Sequence, residues 1–218
     1  MLVIFDCDGV LVDSEALACQ VDADVLTSLG IAYTRDEIIN QFVGVSLKDM
    51  MAQIEREHER TLPADFADTL NRTLFARFER ELRPIEGVRD AILALPHRRC
   101  VASSSLPERI AFSLRLTGLD DLFEHVFSAS EVRRGKPAPD LFLHVAERMG
   151  SSADGCVVIE DSIAGVQAAR AAGMKVVGFA GGGHCGPGHV DRLKAAGALS
   201  VIDRMAELPE TLRALTSP

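Results

Sequence analysis

The sequence predicts an α/β fold, a doubly wound parallel sheet interrupted by an inserted α-helical domain. Two observations lead to this prediction. From about residue 84 onward, short apolar runs alternate with amphipathic segments of helical period, a pattern typical of parallel strands joined by right-handed crossovers. The chain also opens with the apolar run Leu2–Phe5, which has the character of a buried central strand. We therefore expect this opening strand to join the later ones in one sheet.

The later part of the chain supplies the remaining strands and helices of this sheet. Strands are predicted at 100–102, 126–127, 156–159, 176–179 and 199–202. A helix is predicted from Pro107 to a stop at Gly118, and others at 139–150 and 162–173. Cys100 and Cys156 fall in predicted strands, where we interpret them as small buried apolar residues.

Residues 15–82 contain only helical patterns. Thr34 with Glu37, and Ser46 with Asp49, have the form of capping boxes that begin helices. One apolar stripe, which we interpret as packing, consists of Phe66, Leu70, Leu74, Phe78 and Leu82. We therefore expect a Rossmann-like catalytic core at 1–14 and 83–218, with a helical cap domain at 15–82.

Composition excludes several classes of partner. The chain of 218 residues has 23 basic and 32 acidic side chains, and its net charge of −9 argues against binding to nucleic acid or to an anionic membrane. Five scattered cysteines without a C-x-x-C pair indicate reduced thiols. No export signal or membrane-spanning run is recognised, so we expect a cytoplasmic protein, a monomer or a weak homodimer.

The segment Asp6-Cys7-Asp8-Gly9 follows the opening strand directly. An isolated segment of this kind is an ordinary turn as often as a functional site. Asp13 adds a third carboxylate, however, and acids this close raise one another's pKa unless a cation neutralises them. Oxygen ligands favour a hard cation, and Mg2+ needs only one or two carboxylates together with water and phosphate oxygens. We therefore predict a site for magnesium and phosphate.

Polar residues follow two further predicted strands, and a lysine stands before a predicted helix. Ser103 and Ser104 belong to a serine run after the second strand, which alone would be an ordinary loop. Lys136 lies between a glycine and a proline, which favours a positioned rather than a solvated ammonium group. Glu160 and Asp161 end the fourth strand at a helix N-terminus, where acids also complement the helix dipole. Together these residues supply carboxylates, hydroxyls and a cation at one edge of the sheet.

On these motifs the chain resembles the haloacid dehalogenase superfamily of aspartyl-phosphate phosphotransferases. The family's four motifs match at Asp6–Val10, at Ser103, at Lys136 and at Glu160 with Asp161. The likeness covers essentially the whole chain. A helical cap after the first motif is similar to the subclass of β-phosphoglucomutase and small sugar-phosphate phosphatases.

The resemblance implies a role for each matched residue. Asp6 would attack phosphorus and form an aspartyl-phosphate, while Asp8 would protonate the leaving oxygen and then activate water. Mg2+ would be held by Asp6, the main-chain carbonyl of Asp8 and Asp161, with Glu160 acting through water. Substrate-binding residues would be Ser103, Ser104, Lys136 and Gly44. Lys48, close to the positions where mutases carry basic residues, is a further candidate, although a solvated surface lysine is the more frequent case.

Other residues indicate which branch of the family the chain resembles. Asp8 argues against the dehalogenase branch, which lacks this acid. Ala18 stands where mutases carry a cap-hinge histidine, and Val43 and Leu47 stand where they carry basic residues. We therefore favour a phosphatase acting on a small phosphomonoester, such as a sugar phosphate or 6-phosphogluconate. A β-phosphoglucomutase-type mutase and a catalytically silent sugar-phosphate-binding or partner protein remain alternatives.

The loop after the fifth predicted strand contains three glycines followed by His184, and His189 lies a few residues further on. Histidines can act as metal ligands or contact substrate. In a glycine-rich connection of this kind we favour a plain loop over either role.

Overall fold

The computed structural model describes residues 1–43, 45 and 47–216. Its sheet has six strands in the order β3-β2-β1-β4-β5-β6, and every neighbouring pair is parallel. The strands are β1 (Leu2–Phe5), β2 (Arg98–Ser103), β3 (Val126–Ser128), β4 (Cys156–Glu160), β5 (Lys175–Phe179) and β6 (Ser200–Ile202). The predicted doubly wound parallel α/β fold is thus confirmed.

The strand order contains a switch point between β1 and β4. From β1 the chain builds outward through β2 and β3, and it then returns to the other side of β1 to build β4, β5 and β6. Phe5 pairs with Val101 on one side and with Ile159 on the other. Open α/β sheets bind ligands at the carboxyl ends of the strands where the order reverses. Asp6 and Glu160 stand at this point.

Residues 14–82 form one of two compact units of the chain. Its helices are α1 (Glu15–Ser28), α2 (Arg35–Phe42), α3 (Leu47–Glu57) and α4 (Phe66–Glu81), and α1 packs against α2 and α4. Thr34 caps α2, since its Oγ1 accepts from the Glu37 N–H while Glu37 Oε2 accepts from the Thr34 N–H. The predicted apolar stripe of α4 is buried. The capping box expected at Ser46 falls on a residue outside the described ones.

Met1–Asp13 and the chain from Arg83 onward form the other unit. Its helices are α5 (Val88–Leu93), α6 (Pro107–Leu116), α7 (Asp140–Arg148), α8 (Ile163–Ala171), α9 (His189–Ala196) and α10 (Leu208–Thr216). Four short 3-10 turns occur at Asp120–Leu122, Ala129–Glu131, Ala153–Gly155 and Met205–Glu207. Alternate residues of the central strands, including Ile4, Cys100 and Val158, pack with Phe142 and Val145 in one apolar cluster. This cluster holds the strands in register and so fixes where their carboxyl ends lie.

Within the part of the chain that the structure describes, none of the helices combines the length and the apolar character that crossing a membrane requires.

Candidate active site

Asp6 and Lys136 meet at the carboxyl end of β1. The Asp6 N–H still donates to the Ile159 carbonyl of β4, at 3.0 Å, so its main chain is fixed by the sheet. Lys136 Nζ donates to Asp6 Oδ1 at 2.6 Å, to Glu160 Oε1 at 2.5 Å and to the Ala102 carbonyl at 3.2 Å. One ammonium group thus joins the ends of β1, β2 and β4.

The environment of Lys136 keeps its ammonium group charged. The side chain is only 4% exposed, and its Nζ lies 5.1 Å from the centre of the Phe142 ring. Burial alone lowers the pKa of Lys136, but the adjacent Asp6 and Glu160 carboxylates outweigh burial and raise this pKa overall. The residue lies before Pro137, and the peptide bond between them is cis. Lys136 is therefore a positioned, permanently charged group.

Asp6, Glu160 and Asp161 form a cluster of buried carboxylates whose oxygens lie within 4.8 Å of one another. Burial raises the pKa of Asp6; Lys136 opposes this rise, while Glu160, Asp161 and Asp8 add to it. Burial also raises the pKa of Asp161. Buried carboxylates this close together form a fitting site for a cation, and an all-oxygen donor set suits Mg2+.

Two glycines leave room for the carboxylates. Gly9 has a φ of +81°, and a Cβ at this position would collide with Asp161 Oδ2. A Cβ at Gly165, in the first turn of α8, would collide with the carboxylate of Glu160. Glu160 Oε2 is held there by the N–H of Ser162, at 2.8 Å, and by its hydroxyl, at 2.9 Å. The backbone at Gly9 and Gly165 thus lies close to the Asp161 and Glu160 carboxylates and limits their orientation.

The Asp8 carboxylate is held by residues that follow β2. Ser105 Oγ donates to Asp8 Oδ2 at 2.7 Å, and Arg109 Nη2 donates to Asp8 Oδ1 at 2.9 Å. Ser103 Oγ lies 3.4 Å from Asp8 Oδ2 and accepts from the Ser105 N–H at 3.0 Å. Arg109 was not predicted from the sequence, where its only signal is its place in the first turn of the helix after the serine run.

Six of the predicted site residues therefore lie together at the carboxyl ends of β1, β2 and β4, namely Asp6, Asp8, Ser103, Lys136, Glu160 and Asp161. Ser104 is exposed beside Ser103. Lys48 is an exposed residue of α3, in the helical unit. Gly44 lies outside the described residues. The predicted substrate-binding roles of Lys48 and Gly44 stay predictions.

The loop after β5 is more than a plain connection, contrary to the interpretation from sequence. His184 Nε2 lies 2.9 Å from Asp161 Oδ2, and His189 Nε2 lies 2.7 Å from the Asp161 carbonyl. Burial lowers the pKa of His184, but the hydrogen bonds and negative charges of Asp161 and Cys185 together outweigh burial, and the pKa rises to about 11. His184 thus hydrogen-bonds a carboxylate of the cluster. Its place at the carboxyl end of β5 was the available signal.

Comparisons with known proteins agree with this geometry. A family model described as haloacid dehalogenase-like hydrolase matches residues 3–179. The chain is 33% identical over 187 residues to 6-phosphogluconate phosphatase of Escherichia coli (strain K12), a match covering 85% of each chain.

Solved structures agree as well. A haloacid dehalogenase-like protein from Agrobacterium tumefaciens superposes with a TM-score of 0.91 at 43% identity, covering 99% of both chains. A haloacid dehalogenase family hydrolase from Deinococcus radiodurans R1, crystallised with phosphate and sodium, has a TM-score of 0.83 at 35% identity, covering 98% of this chain and 95% of the other. The chain therefore belongs to the haloacid dehalogenase-like hydrolases and is an enzyme of that family, a hydrolase of phosphoric monoesters.

Proposed function

We propose that this enzyme releases inorganic phosphate from a sugar phosphate or a phosphorylated sugar acid, with Asp6 as nucleophile and Mg2+ as cofactor. The observation that carries the proposal is the contact of Lys136 Nζ with both Asp6 and Glu160, at 2.6 and 2.5 Å. Phosphoryl transfer depends mainly on positioning and on neutralising charge, and this contact supports both. The likeness to a 6-phosphogluconate phosphatase supports the substrate class.

Asp6 is the proposed nucleophile because it is a rigidly held carboxylate beside a buried cation. Its main chain is fixed by the sheet, so the attacking oxygen has a defined position. The positive charge of Lys136 favours the ionised, nucleophilic form of Asp6 against the effect of burial. Lys136 and Ser103 would donate hydrogen bonds to the phosphoryl oxygens during transfer.

Asp8 is the proposed general acid and base. In the first step an Asp6 oxygen bonds to phosphorus, the ester P–O bond breaks, and Asp8 gives its proton to the leaving oxygen. In the second step water attacks phosphorus, Asp8 takes a proton from this water, and the bond between phosphorus and Asp6 breaks. Phosphate leaves and Asp6 is regenerated. Ser105 and Arg109 would orient the Asp8 carboxylate for both transfers.

The carboxylate cluster is the proposed Mg2+ site. Asp6, Asp161 and the main-chain carbonyl of Asp8 would hold the ion. Glu160 would act through water, since both of its carboxylate oxygens already accept hydrogen bonds from Lys136 and Ser162. Bound Mg2+ would neutralise negative charge on the carboxylates and on the phosphoryl group.

The first experiment is phosphate release with Mg2+ across sugar phosphates, sugar-acid phosphates and nucleotides. β-Glucose 1-phosphate is also tested for conversion to glucose 6-phosphate. We expect release that is strongest on a sugar phosphate or on 6-phosphogluconate. No release from any of these esters would refute the phosphatase, and isomerisation without release would make the enzyme a mutase.

The variant Asp6→Asn tests the nucleophile. Turnover should be lost while the circular dichroism spectrum shows that the variant keeps its helices and strands. Asp120→Asn, at an exposed position in the same unit, is the matched control and should keep full activity. Unchanged turnover in Asp6→Asn would contradict the assignment of Asp6 as the nucleophile.

A further inference from the structure

We propose that His184, Cys185 and His189 form a second cation site, suited to a borderline-soft transition ion such as Zn2+ and distinct from the carboxylate cluster. The Cys185 sulfur and one nitrogen of each imidazole lie within 4.8 Å of one another. The proposed reaction assigns no chemical step to these side chains, although His184 also contacts Asp161 of the carboxylate cluster. Two imidazoles and a thiolate are donors that Zn2+ prefers, whereas Mg2+ prefers oxygen.

The separation of the donor atoms fits tetrahedral coordination. Cys185 Sγ lies 3.5 Å from His184 Nε2. With a Zn–S bond of about 2.3 Å and a Zn–N bond of about 2.0–2.1 Å, tetrahedral angles place sulfur and nitrogen about 3.5 Å apart. An ion that replaces the proton on His184 Nε2 would therefore have both donors at bonding distance. Three protein ligands leave the fourth position of such an ion for water or another small ligand.

The surroundings orient these donors before any ion arrives. His189 Nε2 is held by the Asp161 carbonyl at 2.7 Å, which fixes the ring and leaves Nδ1 with the lone pair. The Cys185 N–H donates to the Gly182 carbonyl at 2.9 Å, which fixes the turn that carries the thiol. Both imidazoles are buried, and among the described residues His184 Nδ1 has no hydrogen-bond partner. A buried polar atom of this kind is uncommon in a folded protein.

The Asp161 carboxylate lies 2.9 Å from His184 Nε2, and its negative charge favours a cation beside it. Arg192 Nη2 lies 3.3 Å from His189 Nδ1, where it would compete with a cation. Arg192 is exposed on α9, so its side chain has space to move away when the ion binds.

The test is a titration of the protein with Co2+ in excess Mg2+, so that the carboxylate cluster is saturated with Mg2+. Bonding of a thiolate to Co2+ gives a charge-transfer absorption band in the near ultraviolet. We expect one Co2+ per chain with this band, and displacement of Co2+ by added Zn2+. Cys185→Ser should abolish the band, and Cys19→Ser, at a buried position of α1, should keep it.

His189→Gln is the second variant, and it should weaken Co2+ binding by about tenfold or more while the thiolate band survives at saturation. Absence of the band in the wild type, or its persistence in Cys185→Ser, would overturn the proposal. Asp6→Asn should retain the band. A failure of the proposed phosphatase reaction is thereby distinguished from a failure of the proposed cation site.

Discussion

Lys136 Nζ and Asp6 Oδ1 lie 2.6 Å apart, although the two residues are 130 positions apart in the sequence. Both side chains are nearly inaccessible to solvent, and Lys136 also contacts Glu160. When a buried charged group loses its partner, its desolvation penalty is no longer offset by the attraction between the two charges. The ion pair that supports the proposed chemistry is thus also a condition for the stability of this end of the sheet.

Replacing Lys136 with methionine should lower the free energy of unfolding by about 3–5 kcal/mol, because two buried carboxylates lose their cation. Urea unfolding measures this loss. The double variant Lys136→Met with Glu160→Gln should recover part of it, since one unpaired charge is removed. Lys194→Met, at an exposed position of α9, should stay within about 0.5 kcal/mol of the wild type. A Lys136→Met protein as stable as the wild type would contradict the argument.

Replacing Asp8 with asparagine should slow the enzyme most on substrates with poor leaving groups, because asparagine cannot protonate the departing oxygen. On a sugar phosphate we expect a loss of about 10²–10⁴-fold in kcat/KM, and a much smaller loss on p-nitrophenyl phosphate. The measurement is kcat/KM against the pKa of the leaving alcohol. An equal loss across all leaving groups would count against the assignment of Asp8 as acid.

Replacing Arg109 with alanine should lower kcat by about 10- to 100-fold, because the Asp8 carboxylate loses the guanidinium that holds its Oδ1 at 2.9 Å. The loss should be greater for poor leaving groups, as for Asp8→Asn. Arg115→Ala is the matched control, at an exposed position of the same helix. Equal losses in both variants would show that Arg109 has no specific role.

Removing divalent cations with EDTA should abolish phosphate release, and added Mg2+ should restore it. Replacing Asp161 with asparagine should raise the Mg2+ concentration needed for half activity by about tenfold or more, because the cluster loses one carboxylate. Mg2+ at about 100 times its Kd should stabilise the wild type by about 2.7 kcal/mol. Asp191→Asn, exposed on α9, should behave as the wild type does. Full activity in EDTA would refute the metal requirement.

Cys100 should make the protein less stable in alkaline solution. Burial in β2 raises the pKa of this thiol from 9.0 to about 12. Above pH 9 the thiol of the unfolded chain loses its proton, whereas the thiol of the folded chain keeps it. The contribution of Cys100 to the free energy of unfolding is therefore complete below pH 9 and is lost as the pH rises toward 12. By pH 10.5 the loss is about 2 kcal/mol.

The check on Cys100 compares the free energy of unfolding of the wild type and Cys100→Ala at pH 8 and pH 10.5. The advantage of the wild type should shrink by about 2 kcal/mol between these pH values. Val101→Ala is the control, because it lies in the same buried strand and removes no titrating group. The difference between its free energy of unfolding and that of the wild type should not depend on pH. A constant difference for Cys100→Ala would contradict the prediction.

The sequence predicted most of the fold because its strands and helices are strongly periodic and end at clear signals. It also predicted Asp6, Asp8, Lys136 and the acidic pair after β4, since the carboxyl ends of parallel strands converge on one edge. Arg109 and His184 were not predicted. An arginine in an amphipathic helix and a histidine after three glycines have many ordinary roles, and only the packing of α6 and the path of the loop bring them to the carboxylates.

The first of the six strands in chain order, β1, occupies the centre of the sheet, between β2 and β4. Residues 2–5 leave the ribosome before any partner, and β2 follows only after the whole helical unit. A nascent chain that stops short of residue 156 therefore carries its most apolar strand with one edge bare, and such an edge is a template for unwanted pairing with other chains. The segment Cys156–Glu160 is therefore required twice: it covers the bare edge of β1, and it completes the acidic cluster.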